Sequence, residues 1–213
     1  MSLHAAIEEL QRADHALNAA GPKPFPLPVT GLEAVVAGAI LALERGDWWV
    51  PGLRERVGAV LRDVPVERLV DGHAGARPYR VAPPTPSPAL RALHAVGIAC
   101  AQPESVTLVH LGIGSAADGA FTEALNLAAL LQARVIFLVA VHPLGNEAPV
   151  GKQLASTPRQ LAKAFGIPTT EVDGSDASSV RRAVAEARKA GGPALIEARL
   201  VPGVDLVAHN RPR

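Results

Sequence analysis

Residues 110–126, HLGIGSAADGAFTEALN, put glycine at 112 and 114 between an apolar run and a helix-forming stretch. A strand that ends in such a turn and feeds a helix gathers backbone N–H groups and the positive end of the helix dipole where a phosphate can sit. Gly112 to Ala117 also fits the loose pattern G-x-G-x-x-A of a dinucleotide site. Such a site asks for an acid at the end of the next strand to hold a ribose, and there the chain reads Val141-His142-Pro143-Leu144. A dinucleotide-binding module is therefore an alternative reading, beside a plain tight turn in which glycine serves close packing.

Other residues able to do chemistry are scattered. The seven histidines and the single Cys100 lack the tight spacing of a structural zinc site. His110 near a strand end and His142 at the mouth of the next strand are better placed than His94 for a pocket role, although a lone histidine on an apolar face more often belongs to the core. Asp118, Glu123 and Asn126 are expected at a helix start, where an acid in the first turn suits the dipole.

The elements that must position these residues alternate. Residues 4–19 read as an amphipathic helix through Ile7, Leu10 and Leu17, ahead of the proline-broken PKPFPLP. Gly31 to Arg45 reads as an apolar helix, and Leu53–Leu61 as a second. Residues 71–88 are an irregular loop, and Ser87-Pro88 is expected to open a helix. From there strands at 105–111, 134–141, 169–172 and 194–201 alternate with helices at 118–131, 158–166 and 178–190. Short apolar strands separated by helices predict an α/β fold, a mostly parallel sheet with helices on both faces. Residues 1–30 form an N-terminal helix and linker, and 31–213 a single domain.

Composition excludes several functions. Lys and Arg total 21 against 20 for Asp and Glu, with aromatics at 3%, so neither a basic groove nor a stacking platform for nucleic acid is expected. The longest apolar run, Ala34 to Leu43, is ten residues, against about 20 for a membrane span. The first residues carry acids and no secretion pattern, so the expected location is cytoplasmic.

Read further, GIGSAADGAFTEALN followed by ARVIFLVAVHPLG resembles the central segment of the alpha subunit of thiamine-diphosphate-dependent 2-oxo acid dehydrogenases, the pyruvate and branched-chain type. In that family a Gly-Asp-Gly turn precedes an Asn-Asn pair at the end of the next strand, and here 26 residues separate Gly114 from Val141-His142. TGLEAVVAGAILALERGDWWVPGLRERV at 30–57 resembles the family's G-Q-E-A…G-D-W…P-x-Y-R-D-H segment. ALRALHAVGIACA resembles its P-H-A-V-G helix, and FGIPTTEVDGSDASSVRRAVAEARKAGGPALIEARL its G-I-P…V-D-G-x-D…L-I-E run. The resemblance implies the thiamine-diphosphate-binding fold, a beta-subunit partner and a cofactor between the two chains.

The same resemblance shows what has changed. The family's turn aspartate and one Asn of the pair hold magnesium; here those positions are Ile113 and His142, and Val141 is the other member of the pair. Isoleucine has no lone pair, and imidazole suits magnesium poorly compared with oxygen. The Tyr-Arg pair that helps hold the diphosphate reads Leu53-Arg54, Leu32 replaces the Gln of G-Q-E-A, and Ala140 stands where a polar residue precedes Asn-Asn. The family's C-terminal active-site histidine falls near Leu206, with His209 as a shifted equivalent, and the compressed loop 71–88 offers only His73. The expectation is a vestigial site of Arg54, Gly112, Gly114 and His142, with Ile113, Val141 and Leu53 in place of polar residues. It has no catalytic or metal-binding residue, and no cofactor is expected. The chain would act as a structural or regulatory partner of a beta-like subunit, or would self-associate through its Ala- and Gly-rich helices at 31–45 and 118–131. The alternative is an active dehydrogenase subunit with an altered metal site, using thiamine diphosphate and magnesium.

Overall fold

The computed structural model describes residues 1–19, 27–71, 77–83, 85, 87–142, 144–145 and 148–200. In chain order these form α1 (Leu3–Ala19), α2 (Glu33–Ile40), β1 (Trp48–Val50), 3-10 turns over Glu55–Arg62, α3 (Val66–Val70) and α4 (Leu90–Ala101). Then come β2 (Thr107–Gly112), a 3-10 turn at Ile113–Ala117, α5 (Gly119–Leu130), β3 (Val135–Val141) and the small hairpin β4 (Leu144–Gly145) and β5 (Ala148–Pro149). The described chain closes with α6 (Pro158–Ala164), β6 (Thr169–Asp173), α7 (Ala177–Ala190) and β7 (Ala194–Arg199).

One sheet runs in the order β1-β2-β3-β7-β6 with every neighbouring pair parallel. Its register sets Gly112 beside Ala140, and Val141 beside Arg199, so the carboxyl ends of β2, β3 and β7 finish at one level. Alternate residues of β2 and β3 enter two cores. Leu108, Ile136 and Leu138 meet Leu10, Val36 and Val180 from α1, α2 and α7. Val109, Phe137 and Val139 meet Ala95, Phe121 and Ala162 from α4, α5 and α6. Burial on both faces is why these strands read as unbroken apolar runs.

Capping fixes the helices that frame the carboxyl edge. Asp118 accepts a hydrogen bond from the Ala120 N–H at 2.8 Å and opens α5, as its place in the sequence predicts. Thr157 and Gln160 form a capping box with Pro158 at the first position of α6. Asp176 opens α7, and Gly191 ends it in the left-handed region at φ 78°.

Other expectations are altered by packing. The apolar helix predicted from Gly31 to Arg45 is regular only over Glu33–Ile40 and then tightens into turns. The second helix is a run of 3-10 turns at Glu55–Arg62, where a β-carbon at Gly58 would collide with Val36, Ile40 and Trp49. Ser87-Pro88 does not cap α4, which starts at Leu90. The Pro88 carbonyl instead accepts from the Arg91 Nε at 3.2 Å. Strand β1 carries no sequence signal beyond three residues of Trp-Trp-Val. It joins the sheet because Trp48 N–H reaches the Val106 carbonyl, while Trp49 pairs with Arg80 and Ala82 on its other edge.

Two contacts pin α7 to this frame. The buried Asp47 carboxylate accepts from the Val106 N–H at 2.9 Å, the Glu44 N–H at 2.8 Å and the Arg188 Nε at 2.6 Å. It thereby ties the end of the α2 segment and the start of β2 to α7. At Gly38, α2 approaches α7 so closely that a β-carbon would lie 2.5 Å from the Ala177 carbonyl oxygen. The small residues of α2 thus serve contact inside the chain. Replacing Asp47 by Ala is expected to cost about 2–3 kcal/mol, because it strands the Val106 and Glu44 N–H groups and leaves the Arg188 guanidinium with Glu44 alone. Gly38→Ala should cost about 1–3 kcal/mol through overpacking. Urea unfolding of each variant measures both losses.

Candidate functional site

The carboxyl edge of the sheet carries two cavities, on either side of the Gly112–Gly114 turn. The first, about 330 Å³, is lined by Leu53 and Arg54, by Glu55, by Ser87 and Arg91, and by Gly112, Gly114, Ser115 and Asp118. The second, about 570 Å³, is lined by Ile113, Val141 and His142, by Val150 and Leu154, by Thr157 and Gln160 of the α6 start, and by Glu197, Arg199 and Leu200. The structure therefore does not gather the sequence-predicted residues into one cleft. Leu53, Arg54, Gly112 and Gly114 share the first cavity; Ile113, Val141 and His142 share the second. The cause is local: β2 ends at Gly112 and the 3-10 turn sends Ile113, 4% exposed, to the other side of the chain from Arg54.

Charge at the first cavity sits on three buried or half-buried groups. Arg54 is anchored to the Pro28 carbonyl at 3.3 Å. Arg91 is 5% exposed. Burial pushes the basicity of both arginines down, and Glu55 works against that for each. The backbone at Gly52 passes so close to the Glu55 carboxylate and the Arg91 guanidinium that a β-carbon there would collide with both. Arg91 and Glu55 are functional candidates that sequence reasoning missed. Neither belongs to a recognised spacing, and only the fold brings α4 over the 55–62 turns.

His110, singled out from sequence, lines neither cavity. It is buried edge-on to Trp49, ring centroids 5.8 Å apart, with no hydrogen-bond partner on Nε2. Burial pushes it down to about 4, with Glu55 pulling the other way. His94 is exposed on α4. His142 is buried against the second cavity. Leu32 and Ala140 are buried. His73, Leu206 and His209 lie outside the described residues.

At the second cavity Glu197, 1% exposed, accepts from the Arg159 N–H at 2.9 Å and so holds the first turn of α6. Glu171 joins Arg159 and Arg199 along its rim. These carboxylates are spent on arginines and backbone.

The family model for the dehydrogenase E1 component matches residues 1–201. The chain belongs to the dehydrogenase E1 component family. Among its relatives, the 3-methyl-2-oxobutanoate dehydrogenase subunit alpha of Mycobacterium tuberculosis is 34% identical over 194 residues, covering 80% of this chain and 51% of that protein. The pyruvate dehydrogenase E1 component subunit alpha of Staphylococcus aureus is 32% identical over 204 residues, covering 88% of this chain and 55% of that protein. This chain thus spans about half the length of the curated relatives it matches. Among solved structures, transketolase from Leishmania mexicana superposes with a TM-score of 0.74 at 18% identity, over 94% of this chain and 37% of that one. Transketolase from Campylobacter jejuni gives 0.69 at 20% identity, over 93% of this chain and 37% of its own. The fold is the thiamine-diphosphate-binding α/β fold expected from the sequence.

Membership in the E1 component family corrects one expectation. The loss of motif residues suggested that no cofactor would be used, yet E1 components depend on thiamine diphosphate, so a cofactor is expected of a member. The inference from Ile113 reached too far because one missing ligand bears on the metal and not on every contact with the cofactor. Magnesium itself does not fit the described residues. Ile113 and His142 meet across one cavity but present hydrocarbon and imidazole, and no group of three or more His, Cys, Asp or Glu could hold a metal ion among the described residues. No helix among the described residues is long and apolar enough to cross a membrane.

The state of His110 predicts an acid-sensitive core. A histidine held near 4 in the folded chain and near 6.5 when unfolded favours the native state fully above about pH 6.5, and that contribution fades as pH falls toward 4. Unfolding free energy should drop by about 2 kcal/mol from this group between pH 7 and pH 5. His110→Leu should remove that part of the slope, as read by urea melts at the two pH values.

Proposed function

We propose that this chain works as an alpha-type subunit beside a beta-type subunit of a 2-oxo acid dehydrogenase E1 component, in a structural or regulatory capacity. The metal-loaded half of a decarboxylating site is not its contribution. Thiamine diphosphate, the cofactor of the family, stays part of this reading. What the chain does not bring is an oxygen ligand for magnesium at positions 113 and 142. The observation that carries the proposal is that Ile113 and His142 line one cavity, at positions the family resemblance assigns to a carboxylate and an amide. A magnesium diphosphate seated there would lose two oxygen ligands at once, and a charged group buried without partners costs several kcal/mol. The relatives are named for 3-methyl-2-oxobutanoate and pyruvate, so branched-chain and short 2-oxo acids are the substrates against which to test the assembly.

Co-expression with a beta-type subunit is expected to give a stable complex by light scattering. Its decarboxylation of both acids should stay at the level of the beta-type subunit alone, with or without magnesium. Failure to form the complex, or magnesium-dependent turnover, would overturn the proposal. Within the complex, the double change Ile113→Asp with His142→Asn is expected to introduce magnesium dependence into cofactor binding measured by calorimetry. Unchanged binding would mean that the cavity has diverged beyond those two positions.

A further inference from the structure

The second cavity holds a charge pair that the motif positions do not account for. Glu197 and Arg199 stand two residues apart at the end of β7, so their side chains leave the strand on the same face, and both line the cavity. The wall around them is aliphatic, with Ile113, Val141, Leu154 and Leu200. We propose that this cavity binds an aliphatic α-amino acid as its zwitterion, with Glu197 taking the ammonium group, Arg199 the carboxylate and the hydrocarbon wall the side chain. The inference goes beyond the subunit reading and needs no beta-type partner, diphosphate or metal ion.

Three observations carry it. The Glu197 side chain is 2% exposed, and its one hydrogen bond among the described residues comes from the Arg159 N–H to Oε1. The other oxygen lies 3.9 Å from the Arg199 Nη2, which is too long for a hydrogen bond. A buried carboxylate held in this way is stabilised by a cationic donor brought against it. Arg199, on the rim and half exposed, gives Nε and Nη2 to Glu171. Its guanidinium carries two further N–H groups on Nη1, which suit a carboxylate. Finally, the cavity of about 570 Å³ falls within the range of small-molecule sites, and its aliphatic wall favours a hydrocarbon body. The chemistry selects among ligands. Glu197 and Arg199 carry no net charge, so a polyanion has little to win there. A simple carboxylic acid would set its charge beside Glu197, and a simple amine would bring nothing to Arg199. An α-amino acid carries both charges on neighbouring atoms, in the order that an oxygen and a nitrogen 3.9 Å apart can meet side by side.

Isothermal calorimetry of the full chain in excess chelator tests this with four probes: leucine, glycine, isocaproate, which is leucine without its ammonium group, and isoamylamine, which is leucine without its carboxylate. Leucine is expected to bind at least about tenfold tighter than glycine, because its side chain is buried. It should also bind at least about tenfold tighter than either truncated compound. Glu197→Gln keeps an oxygen for the Arg159 N–H and removes the charge, and should weaken leucine by about tenfold or more. Leu154→Ala should weaken leucine several-fold and leave glycine unchanged. No leucine binding, a truncated compound that binds as tightly as leucine, or a folded Glu197→Gln protein of unchanged affinity would each overturn the site. If Glu197→Gln does not fold, the probe series on the unaltered chain and on Leu154→Ala still decides. A chain that assembles with its beta-type partner and ignores leucine removes this inference alone. A chain that binds leucine and forms no complex removes the subunit reading instead.

Discussion

A strand buried on both faces has no free side on which to do chemistry, so a parallel sheet offers its residues to a ligand only where the strands run out. In this protein that constraint places every candidate residue. The register sets Gly112, Val141 and Arg199 at the ends of β2, β3 and β7, and helices α5 and α6 begin beside them. The edge works as a platform only if the strands hold their level. That depends on the Gly38 crossing, which locks the first turns of α7, and on the Asp47 carboxylate, which holds Arg188 near its far end.

The Gly112–Gly114 turn divides this platform. A single buried side chain, Ile113, closes one side with hydrocarbon, while the other side keeps two arginines and a carboxylate. Loss on one side and retention on the other are compatible because the turn separates them. Glu55 offsets the burial of both Arg54 and Arg91 on that side, independently of the residue at 113. The same separation explains why family membership and the missing metal ligands coexist. The fold follows from the frame, and the missing magnesium ligands belong to the isoleucine side.

His110 illustrates how the frame restricts chemistry. On sequence it stands one residue short of the strand end, close enough for a pocket role. In the sheet it shares a face with Leu108 and turns edge-on to Trp49, so its charge is suppressed by burial. The alternation of side chains along a strand, one residue in either direction, decides between a pocket histidine and a core histidine.

The sequence alone determined the class of fold, most helix and strand positions, the helix start at Asp118, and the family resemblance, because these rest on local periodicity and on motifs continuous in the chain. It also marked Ile113 and His142 as departures, since residue type can be compared position by position. Only the tertiary structure decided that Arg54 and Ile113 open onto different cavities, that Arg91 and Glu55 face the first, that α2 spends its small residues on α7, and that Trp48–Val50 is a strand. Those outcomes depend on the direction of a turn, on helix crossings and on pairings between residues 59 apart, such as Asp47 with Val106. No local pattern encodes them, because their free energy comes from partners that the chain meets only once it has folded.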